Sequence, residues 1–225
     1  MSATTTITNA DTLVPTDGNP DPKLFYELVS QATFRSHLLS KPDALSTASF
    51  CIEKHETLSK NKFDILIHQG ESKDGIVLGV AKFHVRGLDY TIGLGNPAGE
   101  IEGKGITWEK LTRLGKYTHK VHYFSIGSGE QRRTYTYRKE YTSFKRLKTM
   151  ELRAGGIEDE QGELLAKWVG TSKLSMKRGS LFIKRIGPKG QDPYAPLDEE
   201  AGKWEIMVCL TAFTIIESQV RRSKG

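Results

Sequence analysis

The sequence predicts a mainly β fold: a closed antiparallel barrel of about twelve strands around a central hydrophobic C-terminal α-helix. Three observations carry that prediction. Short runs rich in β-branched and aromatic residues recur from residue 23 to residue 186, separated by Gly, Asp, Asn and Pro. Residues 204–216, WEIMVCLTAFTII, are apolar on nearly every side of a helix, so that helix requires burial. At 1.5 Å per residue the apolar run is only about 20 Å long, against roughly 30 Å of bilayer hydrocarbon, which makes the protein itself the host.

Residues 1–21 carry Thr, Asp, Asn and Pro and hardly any large apolar side chain, too little to offset the entropy of ordering them, and are expected to form a flexible tail. They also lack the basic start and apolar stretch of a signal peptide, leaving the cytosol as the default compartment. The folded domain is expected over 22–222. Strands are expected over 23–29, 32–39, 48–54, 63–68, 76–84, 89–94, 106–113, 117–126, 132–141, 148–153, 163–169 and 180–186.

Several of these runs alternate as half-buried strands do. Phe63, Ile65 and Ile67 share one face, and Leu164, Ala166 and Trp168 share another. Asp74-Gly75, Gly127-Ser128-Gly129 and Glu160-Gln161-Gly162 offer residues tolerant of positive φ where hairpins need it, so successive strands should be antiparallel. After a Pro- and Gly-rich loop over 187–197, Asp198, Glu199 and Glu200 place negative charge at a helix N-terminus. Arg221, Arg222 and Lys224 balance the other end of a helix expected over about 198–222. Twelve strands avoid exposed edges by closing, the interior is then too wide for wall side chains to fill, and the apolar helix is the element that fits it.

At this point the chain resembles a family. His122-Tyr123-Phe124, then Arg133-Thr134-Tyr135-Thr136-Tyr137-Arg138-Lys139 after a short turn, then Glu160-Gln161-Gly162-Glu163-Leu164-Leu165-Ala166-Lys167-Trp168, the strand around Ser180 to Ile183, and the closing helix with Glu217 and Arg221-Arg222 are similar to the tubby C-terminal-like superfamily. The likeness is to its small fungal members, which are related to the LURP-one-related proteins and phospholipid scramblases. It spans residues 23–222 and implies the barrel around a helix. It also implies a phosphoinositide-binding role through basic residues on the barrel, without assigning numbered positions, and the calcium-binding stretch of scramblases is missing.

Charge is concentrated. The chain has a formal charge of +6, but residues 104–153 hold 13 basic and 4 acidic residues. Lys110, Arg113, Lys116, Lys120, Arg132, Arg138, Lys139, Lys145, Arg146 and Lys148 are interleaved there with Tyr117, Tyr135, Tyr137 and Tyr141, as in headgroup or nucleic-acid sites. The alternative is a solvated outer wall. In the run 132–141, one face carries Arg133, Tyr135, Tyr137, Lys139 and Tyr141, and the other carries Arg132, Thr134, Thr136, Arg138 and Glu140. One of the two is expected to look outward with its aromatic rings exposed or lined by Lys and Arg stems.

Other motifs lead away from chemistry. Gly93-Leu94-Gly95-Asn96-Pro97-Ala98-Gly99 matches a dinucleotide loop superficially, but no helix opens after it, so it reads as a turn. His119 and His122 point to opposite faces of a strand, and no metal-ligand spacing or catalytic signature occurs, so neither metal, cofactor nor enzymatic activity is expected. Cys51 and Cys209 lie in apolar runs and read as buried thiols. The expected function is a non-enzymatic binding module contacting anionic membrane phospholipid through the basic barrel surface, at the inner face of the membrane. Alternatives from other classes are a protein-interaction scaffold and nucleic-acid binding.

Overall fold

The computed structural model describes residues 23–30, 36–40, 48–55, 63–84, 89–97, 106–115, 120–141, 147–171, 177–184 and 198–222; the expected tail lies outside them. Among the described residues twelve strands precede one α-helix. They are β1 (Lys23–Ser30), β2 (Ser36–Ser40), β3 (Ala48–Lys54), β4 (Ile65–Gln69), β5 (Val77–Phe83), β6 (Asp89–Leu94), β7 (Thr107–Arg113), β8 (Val121–Ile126), β9 (Arg133–Tyr141), β10 (Leu147–Ala154), β11 (Leu164–Gly170) and β12 (Lys177–Lys184), followed by α1 (Asp198–Arg222).

Every strand pairs antiparallel with its neighbours in sequence, and β1 also pairs with β12, so the strand order returns to its starting strand as a barrel. Register follows the apolar alternation. Leu152 stands opposite Tyr137, Ala166 opposite Leu152 and Ile183 opposite Ala166, all on the buried side. Shifting any of these pairings by one residue would turn its buried set outward.

The helix fills the space this wall surrounds. Met207 through Ile215 are nine consecutive buried residues, and at 3.6 residues per turn nine positions cover every side of a helix. Partners come from separate parts of the wall: His37 of β2 lies against Phe213, Tyr135 of β9 against Trp204, and Gly79 of β5 beside Leu210 and Ile206. Polar side chains in this apolar stretch are satisfied along the helix itself. Thr211 Oγ1 donates to Met207 O at 2.7 Å, Thr214 Oγ1 to Leu210 O at 2.7 Å and Ser218 Oγ to Ile215 O at 2.8 Å. Among the described residues no helix is long and apolar enough to cross a membrane.

Three details differ from the sequence reading. Positive φ falls on Gly70 (82°) and Gly155 (108°) rather than Gly75 and Gly162; the latter two are glycines because a Cβ would run into the carbonyl oxygens of Gln69 and Ala154. Leu164 is exposed although Ala166 and Trp168 are buried, because the β10–β11 register shifts beside it. Tyr135 and Tyr137 point inward and are buried, so the aromatic face of β9 is a core face. The turn at Gly127 and Gly129 does carry positive φ, at 96° and 55°. Cys51 and Cys209 are both buried.

Candidate functional site

Seven of the ten basic residues singled out from sequence are described, and the wall divides them. Lys116, Lys145 and Arg146 lie outside the described residues. Lys110, Lys120, Arg132 and Lys148 are exposed, and Arg138 is half-buried. Four of these five have a carboxylate partner. Lys110 pairs with Asp89 at 2.5 Å, Arg132 with Glu109 at 3.3 Å, Arg138 with Glu160 at 3.3 Å and Lys148 with Glu140 at 3.5 Å. Farther round, Glu151 accepts from both Arg153 at 2.9 Å and Lys167 at 3.0 Å. These outer-wall cations are therefore interleaved with cross-strand and loop carboxylates.

Arg113 and Lys139 correct the outer-surface expectation. Each is only 7% exposed and belongs to the inward face of its strand. The register explains why: Arg113 is two residues from buried Leu111 on β7 and pairs with buried His122, while Lys139 is two residues from buried Tyr137 on β9 and pairs with buried Met150. Both sit at the barrel end reached by the C-terminus of α1.

That end carries two groups of charged side chains. Toward β3 and β4 the charges are balanced. Arg221 Nη1 donates to Asp64 Oδ1 at 2.8 Å, Arg221 Nε to Glu217 Oε1 at 3.2 Å, and Lys54 Nζ lies 3.7 Å from Glu217 Oε2. Arg221 also donates to the His55 carbonyl at 2.6 Å and lies 4.4 Å from the centre of the Phe83 ring. Two cations thus meet two carboxylates, with a cation–π contact besides. Burial, with help from Lys54 and Arg178, pushes His37 at the same end down to about 3, so it is neutral and adds no charge.

Toward β6 through β9 lies a second group of cations. Arg113, Lys139 and Arg222 converge there. Arg222 Nη2 donates to the Tyr90 hydroxyl at 3.0 Å, the Tyr90 ring stacks on His122 with centres 6.1 Å apart, and Lys139 Nζ lies 5.7 Å from the centre of the Tyr141 ring. Burial pushes the Lys139 ammonium down to about 7, aided by the charges of Arg222 and Arg113. Burial and Arg222 also lower Arg113, against weaker support from Tyr90 and Asp89. Asp89, which acts on Arg113, also pairs with Lys110.

The helix dipole accounts for part of this arrangement. A cation beside the last turn of a helix gains about 0.3–1 kcal/mol, which suits Arg222. It does not account for burying Arg113 and Lys139 beside one another, because desolvating two like charges costs more than a helix terminus returns. Chemically, the group offers two guanidinium forks, an ammonium and a tyrosine hydroxyl, which is a donor set for an anion.

Sequence reasoning included Arg113 and Lys139 but placed them on the wrong face, and it took Arg222 only for a helix-terminal charge. The missed signal was parity. Glu109, Leu111 and Arg113 share a face, as do Tyr135, Tyr137 and Lys139, and in both cases the apolar members decide which way that face turns. Among the described residues no group of three or more His, Cys, Asp and Glu is placed to hold a metal ion. Comparisons with protein-family models, curated proteins and solved structures return no match to this chain.

Proposed function

We propose that the protein is a non-enzymatic binding module that engages anionic membrane lipid at the barrel end where α1 terminates. One observation carries this reading: three cationic side chains from separate elements, Arg113 of β7, Lys139 of β9 and Arg222 of α1, are gathered at that end. Arg222 is exposed and gives the group a face toward solvent. An interior filled by α1 directs binding to an end of the barrel. The same architecture, twelve antiparallel strands in sequential order around an enclosed helix, supports the further proposal that the chain is built on the plan of the tubby C-terminal-like superfamily.

Flotation with phosphatidylcholine vesicles carrying phosphatidic acid or phosphatidylserine tests the reading. The protein should float at low salt, lose binding as salt rises, and lose it at low salt on Arg222→Gln. Arg132→Gln on the outer wall should float as the unaltered protein does. Absence of flotation at low salt, or equal loss from both substitutions, would overturn the proposal.

A further inference from the structure

We propose that the seam between β7 and β8 is a gate in the barrel wall, hinged where Arg113 pairs with His122 and latched at its other end by Arg132. The inference goes beyond the lipid-binding reading and does not depend on it.

The wall is zipped unevenly. β6 and β7 pair at six positions, from Asp89 with Thr112 to Leu94 with Thr107, and β8 and β9 pair at six, from Val121 with Arg138 to Ile126 with Arg133. Between these two laddered halves, β7 and β8 pair at two, Thr112 with Tyr123 and Arg113 with His122. At that same end Leu114 N–H donates to Val121 O at 3.0 Å. Continuing the register would set Leu111 against Phe124 and Lys110 against Ser125, yet the ladder does not extend to them. A strand pair laddered at one end only resists parting at the other through its side chains.

One side chain spans the end without a ladder. Arg132 Nη2 donates to Glu109 Oε2 of β7 at 3.3 Å, and its Nη1 donates to the carbonyl of Gly127, the residue after β8, at 3.3 Å. A single guanidinium thus holds both edges of the seam. The Glu109 side chain is 11% exposed, so removing Arg132 leaves a nearly buried carboxylate without that partner, and the cost falls on the closed wall rather than on the parted one. What the seam covers is apolar. Leu111 and Phe124 are buried on its two sides, and Phe124 stacks on Tyr135, which lies against Trp204 of α1. Parting the seam uncovers this aromatic surface and leaves the ladders of both halves of the wall intact.

Amide hydrogen exchange followed by NMR on the full chain tests the gate. Leu114 N–H, at the hinge end, is read against Ala154 N–H, which donates to Glu163 O at 2.9 Å beside the β10–β11 ladder. Corrected for intrinsic rates, Leu114 should exchange about tenfold faster than Ala154, and Arg132→Gln should speed Leu114 by about tenfold more while leaving Ala154 unchanged. Because Leu114 lies at the end of the seam away from Arg132, fraying around the substituted residue does not reach it. In a Glu109→Ala background the effect of Arg132→Gln should vanish, since the latch has already lost its catch. Lys148→Gln, which removes the outer-wall pair with Glu140, should move neither amide. Leu114 exchanging no faster than Ala154, or an Arg132→Gln effect equal at both amides, would overturn the gate. An Arg132→Gln effect undiminished by Glu109→Ala would overturn the latch.

Discussion

The guanidinium of Arg221 donates to the carboxylate of Asp64 at 2.8 Å although 157 positions separate them, and this bond fixes the last turn of α1 to the start of β4. Asp64 also accepts from the Phe83 backbone N–H at 2.9 Å, so one buried carboxylate ties helix, β4 and β5 together. Asp64→Asn should destabilise the fold by about 2 kcal/mol, toward the low end for breaking a buried pair because Arg221 keeps Glu217 as a partner. Urea unfolding of Asp64→Asn, Arg221→Met and the double variant measures it. A coupling energy near zero would show that the pair acts only through packing.

Tyr137 makes the corresponding bond in mid-barrel. Its hydroxyl lies 2.9 Å from Thr211 Oγ1 and donates to Val208 O at 3.2 Å, and burial raises the phenol well above its ordinary range. Tyr137→Phe leaves the ring and removes the donor, at an expected cost of about 1 kcal/mol. Thr211 keeps its bond to Met207 O, so the loss should not grow larger. Thermal unfolding reads it directly.

Gly79 sets how close the helix comes to β5. A Cβ there would stand 3.0 Å from Leu210 Cδ2 and 3.4 Å from Ile206 Cγ2. Gly79→Val should overpack the contact and cost about 1–3 kcal/mol, and Leu210→Ala in the same chain should recover part of the loss. If the double variant is no more stable than the sum of the singles predicts, the helix and β5 do not share that space.

Lys139 predicts a pH dependence of stability. Its folded-state value, about 7, lies below the ordinary lysine value of 10.5, so the unfolded chain binds more protons between those limits and stability rises across that window as pH rises. The gain is lost as pH falls through 7, below which both states carry the proton. Lys139→Met should flatten the slope and stabilise the protein at pH 7 by on the order of 1–3 kcal/mol. Urea midpoints at pH 7 and pH 9.5 check it. Parallel slopes in the two proteins would contradict the burial cost assigned to Lys139.

The fold was legible where alternation was strong. Ile65 and Ile67, Ala166 and Trp168, and the all-round apolar face of α1 each state their orientation in the chain itself, because a buried apolar side chain has one favourable side. The basic end was harder to read. A lysine or arginine in a strand is expected to face water, and only the company of Leu111 and Tyr137 on the same faces turns Arg113 and Lys139 inward. The pairing of Lys110 with Asp89 and of Arg138 with Glu160 depends on register and loop path, which local sequence does not specify. Counting charge along residues 104–153 therefore joined two opposite faces into one.

The order of the parts has a consequence for synthesis. The helix that completes the interior follows all twelve strands, so a ribosome makes the wall before its filling. Until residues 204–216 emerge, a nascent chain has Ile52, Ile65, Ile67, Leu111 and Phe124 with no helix to cover them, and its most distant bonds, such as Asp64 to Arg221, cannot form. Such a chain is expected to wait in a collapsed, chaperone-accessible state and to reach its native form only after translation has passed the helix.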